Sequence, residues 1–561
     1  MKHVELECIN CRTRIPLTKT VAGCPRCGEV ILEARYDLSD LNVKQWRKEL
    51  ARRPHNLWRY REVLPILNPE NIISLGEGDT PLIKSRALAA SLGLKNLYIK
   101  DERQGPTASF KDRQATVAIS ALKELGVEEV VVASTGNVAI AYAAYCARAG
   151  IKLWSFFPSL TPNEKMREAA LYGAEVIKVT GTYDQTKELA AKFAARRGIF
   201  LDRGIKSVAA IEAMKTMAYE IAEQLTETLA ASSSSDPDQH DPLWRAPDWF
   251  IQGVSGGMGP IGVGKGFREL YDFGIIDRMP KLGLVQSTGC APMVEAFERG
   301  QSIATPVENP QTVIATLATG NPGRAYELLY DYVSDYGGSF VAASDQEAFE
   351  ATRVLARSDG ISVEPATGVT FAGLFKMAQS GVIKPDDVVV VNCSGHTLPV
   401  ELEILDEQWH RQFDLSTRTH GPTLPQEGLI SALEQMSQTT RRVVVMEDNV
   451  DAARLIRRLM QARGAYEVSL AHDGATGMEM IRTERPDLVI TDLMMPGVDG
   501  FAVIERIKSD PELQQIPIVV ITAKELTARE RVWLNEQVDL LLQKGGSIDE
   551  ELVETLVTRI E

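Results

Sequence analysis

The chain has 561 residues, 44% hydrophobic and 24% charged, the make-up of a globular protein with room for a large core. Its length suggests three or four folding units, and a formal net charge of −15 argues against nucleic acid or an anionic membrane surface as the main partner. No run reaches the length of a transmembrane span and Met1 to Glu5 lacks a signal-peptide core, so no membrane partner and a cytoplasmic setting are expected.

Cys8-x-x-Cys11 and Cys24-Pro25-Arg26-Cys27 form two CxxC knuckles separated by twelve residues. Two such pairs supply four thiolates to one tetrahedral Zn2+, and Gly28 suits the tight turn after the second. Disulfides are the alternative, which a reducing compartment disfavours. Four cysteines leave no open coordination position, so such a zinc is structural. Cys146, Cys290 and Cys393 sit in apolar surroundings and read as buried small hydrophobes.

Val30 to Leu32 reads as a strand, followed by a basic, Trp-containing helical stretch around Trp46 and Trp58. Leu75 to Leu82 is a loop dense in turn residues, and Leu97 to Lys100 a short strand. Next comes Pro106 to Arg113, whose Lys111 opens an Ala-rich helical segment, Gln114 to Leu122. A lysine there can form a Schiff base with an aldehyde if its amine is desolvated or near a second cation. Arg113 is close enough in sequence to be that cation. Most such lysines are simply solvated at a helix start.

Val130 to Ala133 is a buried parallel-type strand running into Ser134-Thr135-Gly136-Asn137 and an Ala-rich helix to Ala149. This geometry lets backbone amides hold an anion such as a carboxylate, and Asn137 could reach a ring hydroxyl. A plain N-cap by Ser134 or Thr135 fits equally well. Strand and helix then alternate through Leu153 to Phe157, Asn163 to Tyr172, Val176 to Val179 and Tyr183 to Arg196, which predicts a parallel sheet. Residues 230–242 are a polar low-complexity insertion. The strand Asp248 to Gln252 feeds a glycine-rich loop, Gly253 to Pro260, with Gly256, Gly257, Met258 and Gly259 placed to close around a phosphate. Val388 to Cys393 repeats the strand-then-loop pattern into Ser394, Gly395 and His396, and Ser394 could bond a heterocyclic nitrogen.

Residues 411–440 read as a polar linker. A second α/β pattern begins at Arg441. Its strands end at Glu447-Asp448, Asp492, Thr522 and Lys544, the carboxyl edge where open parallel sheets bind ligands. Three carboxylates meeting there make a hard-oxygen site suited to Mg2+.

These residues carry two resemblances. Leu75–Leu82, Lys100-Asp101 through Arg113, Ser134–Asn137 and Gly253–Phe267 together resemble threonine synthases, which are fold-type II pyridoxal-phosphate (PLP) enzymes. The likeness covers about residues 1 to 410, with 1–36 zinc-ribbon-like and 37–410 catalytic. It implies an α/β fold with two parallel-sheet subdomains, as in the tryptophan synthase β-subunit. It implies that Lys111 forms the internal aldimine, that Asn137 contacts the ring hydroxyl and that Gly256 to Gly259 hold the phosphate. Ser394 would face the ring nitrogen, and Ser134, Thr135 and Gly136 the carboxylate of an amino-acid substrate. The reaction implied is O-phosphohomoserine plus water to threonine plus phosphate, in a homodimer.

Family members usually carry Asn-Pro-Tyr-Arg before a Glu-Gly-x-Lys-Thr stretch, and its Arg helps bind the substrate phosphate. Here the run is Ser207 to Thr216, with no Arg near Ala210; Lys215 or Lys100 could take its place. A related PLP lyase, such as a threonine dehydratase or a cysteate-synthase-like enzyme acting on phosphoserine, is the alternative. A degenerate scaffold that presents the second domain to a kinase is another.

Residues 441–561 resemble response-regulator receivers, a flavodoxin-like (βα)5 fold. The likeness implies an acidic pair Glu447 and Asp448, phosphoacceptor Asp492, switch hydroxyl Thr522 and phosphoryl-contacting Lys544. The implied partner is a histidine kinase or phosphotransfer protein. Gly545 stands where Pro usually follows the lysine, and Leu541 where an aromatic commonly lies.

Overall fold

A computed structural model describes residues 4–17, 23–37, 42–158, 161–179, 183–230, 243–396, 441–448, 466–495 and 497–522, with part of 453–457 and of 530–543. Residues 231–242, the linker 411–440, Lys544 and Gly545 lie outside the described residues. Among the described residues, 4–396 form one compact unit and 441–543 another.

The N-terminal module is an antiparallel sheet of β1 (Val4–Cys8), β2 (Arg14–Pro16) and β3 (Leu32–Tyr36), in the order β2-β1-β3. Val4, Leu6 and Cys8 face its core at the strand period of two. Val30 and Ile31 are not in a strand. Their N–H groups donate to the Glu29 carboxylate at 2.9 and 3.0 Å, so ladder pairing starts only at Leu32.

Ten further strands follow: β4 (Leu82–Lys84), β5 (Asn96–Asp101), β6 (Glu129–Ala133), β7 (Lys152–Pro158), β8 (Glu175–Val179), β9 (Phe200–Leu201), β10 (Trp249–Gly253), β11 (Lys281–Ser287), β12 (Gly338–Ala343) and β13 (Val388–Cys393). They build two sheets, β12-β11-β10-β13-β5-β4 and β8-β7-β6-β9. Every pairing is parallel except β4 with β5. Helices bury both faces, which is why Val130–Val132 and Val388–Val391 are continuous apolar runs. The helices Lys111–Glu124, Asn137–Ala149, Met258–Asp272 and Pro365–Gln379 open at the loops that carry the site.

The second unit is a parallel sheet of β14 (Arg441–Met446), β15 (Tyr466–Ala471), β16 (Leu488–Thr491), β17 (Ile518–Thr522) and β18 (Leu540–Gln543), ordered β15-β14-β16-β17-β18. Four of its strands are legible as apolar runs. β15 is an edge strand that mixes Glu467 and Ser469 with apolar residues, so it lacks that signature.

Candidate active site

Lys111 is the first residue of its helix. The preceding loop is stitched to the loop after β13: Phe110 N–H donates to the Ser394 carbonyl and His396 N–H to the Ala108 carbonyl, both at 2.9 Å. Ser109 and Gly395 form an isolated bridge between those donors. Ala108 holds φ at 57°, an uncommon value for a residue with a Cβ, and so turns the chain into the helix. The Lys111 ammonium lies 4.0 Å from the centre of the Phe110 ring. Desolvation lowers its pKa to about 8, against the upward pull of the Glu364 carboxylate. Among the described residues it forms no ion pair.

Arg113 is not the activating cation. Its buried guanidinium is saturated by Glu102 at 2.7 Å and by both Glu220 oxygens at 2.7 and 2.6 Å. Burial, not a neighbouring charge, lowers the Lys111 pKa.

Asn137 opens the next helix, and its amide donates to both Glu364 carboxylate oxygens at 2.9 Å. The Lys165 ammonium donates to Asn137 Oδ1 at 2.9 Å and to Glu364 Oε2 at 3.2 Å. Ser394 Oγ lies 2.7 Å from Thr367 Oγ1 and donates to Glu364 Oε1 at 3.4 Å. Gly395 is required by this crowding, since a Cβ there would come within 2.6 Å of Glu364 Oε1. Lys111, Asn137 and Ser394 therefore meet around one carboxylate that the sequence reading overlooked, together with Lys165 and Thr367. The available signal was Glu364-Pro365, an acid just before a proline at the first helical turn.

Ser134 Oγ accepts from the N–H groups of Gly136 and Ala139 at 3.0 and 3.1 Å and so ties the loop to the first turn of the helix, whose N-cap position is Gly136. Gly136 has φ 137°, and a Cβ there would strike the Lys165 side chain. Thr135 is half-buried beside it. In the glycine-rich loop, Gly257 has φ 81° and precedes Met258 and Gly259 at the helix start. Gly256 has open space where a Cβ would project.

Neither lysine proposed to replace the missing arginine is free to do so. Lys100, fully buried, donates to Glu220 at 2.8 Å, to the Thr80 carbonyl and to Gln224. Lys215, fully buried, pairs with Glu212 at 2.6 Å and Glu269 at 2.9 Å. Ala210 itself is buried in an apolar cluster with Ile31, Ile211, Met214 and Met258.

The chain matches the family described as "Pyridoxal-phosphate dependent enzyme" over residues 73–395, and "Response regulator receiver domain" over 443–556. It is 37% identical over 392 residues to the threonine synthase of Methanocaldococcus jannaschii, covering 70% of this chain and 92% of that one. It is 33% identical over 402 residues to the threonine synthase of Methanosarcina acetivorans, covering 72% and 93%. The threonine synthase of Mycobacterium tuberculosis matches at 33% over 341 residues, covering 60% and 87%. The chain belongs to the threonine synthase family of PLP-dependent enzymes. It also carries a C-terminal response-regulator receiver domain.

The site of this threonine synthase relative suits its cofactor. A desolvated, unpaired lysine amine, an amide and a hydroxyl converging beside it, and a glycine loop with open space at Gly256 are the donor set that a phosphorylated pyridine aldehyde needs. The four N-terminal cysteine sulfurs lie within 4.8 Å of one another, with Cys8 to Cys27 and Cys11 to Cys24 both at 3.5 Å. A tetrahedron with Zn–S of ~2.3 Å has sulfurs about 3.8 Å apart, so the cluster suits zinc. In the receiver, Glu447, Asp448 and Asp492 each offer a carboxylate oxygen within 4.8 Å of the others. The Thr491↔Val520 register puts Asp492 and buried Thr522 at the same sheet edge. His472 Nδ1 donates to the Glu447 carbonyl at 2.9 Å, and Met494 N–H donates to Asp492 Oδ1 at 3.1 Å. No helix among the described residues is long and apolar enough to cross a membrane.

Proposed function

We propose that this chain converts O-phosphohomoserine and water to threonine and phosphate. The observation that carries the reading is Lys111, a desolvated amine without a counter-ion, inside a unit that spans nearly the whole length of threonine synthases. When bound, the cofactor supplies an electron sink that acidifies the substrate's carbon–hydrogen bonds. Lys111 would hold the cofactor in the resting enzyme and, as a free amine, would carry protons between substrate carbons. A pKa of about 8 makes it competent as both base and acid near neutral pH. Asn137 would orient the ring hydroxyl, Ser394 would face the ring nitrogen, and the amides at Gly256 to Gly259 would hold the phosphate. The Thr135–Gly136 amides, with Ser134 bracing their loop, receive the substrate carboxylate.

The four cysteines hold a structural zinc, stable in a cytoplasmic, reducing setting. Glu447, Asp448 and Asp492 hold Mg2+, and Asp492 accepts a phosphoryl group from a histidine kinase or phosphotransfer protein. Assays of the purified chain with O-phosphohomoserine, threonine and O-phosphoserine separate this reading from dehydratase and β-replacement activities. Metal analysis should find about one zinc per chain, and light scattering tests the homodimer.

A further inference from the structure

The N-terminal module and the cofactor loops share a core. Ile31 lies in one apolar cluster with Met258, Ala210, Ile211 and Met214, against which Ile9, Val30 and Phe110 also pack. Met258 opens the helix that carries the glycine-rich loop, and Phe110 directly precedes Lys111. Both sides of the cofactor site thus touch residues that lie beside the cysteine knuckles.

Polar contacts reinforce this seam. The Ala34 carbonyl of β3 accepts from Lys265 Nζ at 2.7 Å, and Ala34 N–H donates to Glu212 at 3.3 Å. Tyr36 Oη donates to Glu212 at 2.8 Å, and Lys265 also pairs with Glu212. Lys265 belongs to the helix opened by Met258. A second route runs through Glu29. Its carbonyl accepts from Cys24 N–H at 2.7 Å, and its carboxylate pairs with Arg324 at 3.3 Å. Arg324 begins the helix whose Ala325 and Leu329 lie where a Cβ on Gly257 would project.

We propose that the four-cysteine module is a clamp on the cofactor site. Metal at Cys8, Cys11, Cys24 and Cys27 fixes the second knuckle. The knuckle then sets Glu29 to Ile31, and these press Met258 and the Gly256–Gly259 loop into the shape that binds the cofactor phosphate. This rests on the zinc and PLP readings above. Ile31 and Glu29 are positioning residues, because they act through Met258 and Arg324. Ala210 is buried in the same cluster, under the clamp.

The test titrates PLP into full-length protein freed of PLP, with the metal retained, stripped by a chelator, and restored with zinc. The readouts are cofactor absorbance and metal content. Stripping should weaken PLP binding by about tenfold and zinc should restore it. Ile31→Ala should keep its zinc and lose PLP affinity by about the same factor. Glu29→Gln, which keeps its hydrogen-bond acceptor but not its charge, should keep zinc and lose about threefold, and serves if Ile31→Ala does not fold. Zinc bound in the parent but without effect on PLP affinity, in stripped protein and variants alike, overturns the clamp while leaving the metal centre intact. A parent that binds no zinc overturns the metal centre and the clamp's metal dependence. A parent that never binds PLP overturns the catalytic reading instead.

Discussion

Asn137 Nδ2 donates to the Glu364 carboxylate in a contact shared between its two oxygens, at 2.9 Å to each. The same carboxylate holds Lys165 and Ser394 and raises the Lys111 pKa. One acid thereby holds three polar groups and opposes the desolvation that lowers the Lys111 pKa.

Neutralising it should separate these roles. In Glu364→Gln the upward pull on Lys111 is gone while desolvation remains, so its pKa should fall below about 8. Capture of added PLP by protein freed of cofactor needs the neutral amine. Its rate should rise through a midpoint near pH 8 in the parent and at lower pH in the variant, as read by stopped-flow absorbance. An unchanged midpoint would show that Glu364 does not act on Lys111. In Glu364→Ala, Lys165 is left as an unpaired buried ammonium, which should cost about 3–5 kcal/mol of stability in denaturant unfolding.

Lys111→Ala should fold normally by circular dichroism and fail to form a borohydride-reducible bond to PLP. Turnover should fall by ~10³-fold or more, the scale of a lost acid–base group combined with lost covalent attachment. Borohydride labelling of the parent, followed by peptide mapping, should place the modification on Lys111. Modification of another lysine would remove the assignment.

The places of Asn137, the glycine-rich loop and Ser394 were readable because each follows a strand at the start of a helix or loop, and that of Lys111 because a turn-rich loop leads into its helix. Glu364 and Lys165 were not legible. They come from helices far apart in the chain, and their meeting with Asn137 depends on tertiary packing. Arg113 misled for the opposite reason: it lies two residues from Lys111, yet the turn of the helix carries its guanidinium to Glu102 and Glu220. Lys100 and Lys215 looked like free cations in the chain but neutralise buried acids. The parallel strands were readable from apolar runs, whereas edge strand β15 was hidden by its polar residues.

Asp112, next to Lys111, should leave a mark on the pH dependence of stability. Desolvation raises its pKa to about 7 from an ordinary 3.8, although Thr107 donates from its N–H and hydroxyl at 2.9 and 2.6 Å. The folded chain therefore holds this proton more tightly than the unfolded chain. The stability it contributes is full below about pH 4 and is lost as pH rises through about 7. Asp112→Asn should remove that part of the decline between pH 4 and 7 in thermal unfolding. A variant whose Tm tracks the parent's at every pH would contradict it.

In the receiver, Asp492→Ala should abolish labelling by acetyl phosphate, and removal of Mg2+ should do the same to the parent. Turnover of O-phosphohomoserine is then compared for the phosphorylated and unphosphorylated parent. A change confined to the phosphorylated parent supports regulation. Equal rates despite confirmed phosphorylation leave only a tethered receiver.

The central claim is the reaction itself. Purified full-length protein with PLP is incubated with O-phosphohomoserine, and inorganic phosphate and threonine are measured in the same samples. Equal amounts of phosphate and threonine, both lost in Lys111→Ala, are the predicted result. No turnover of O-phosphohomoserine, with threonine or O-phosphoserine consumed instead, would contradict it.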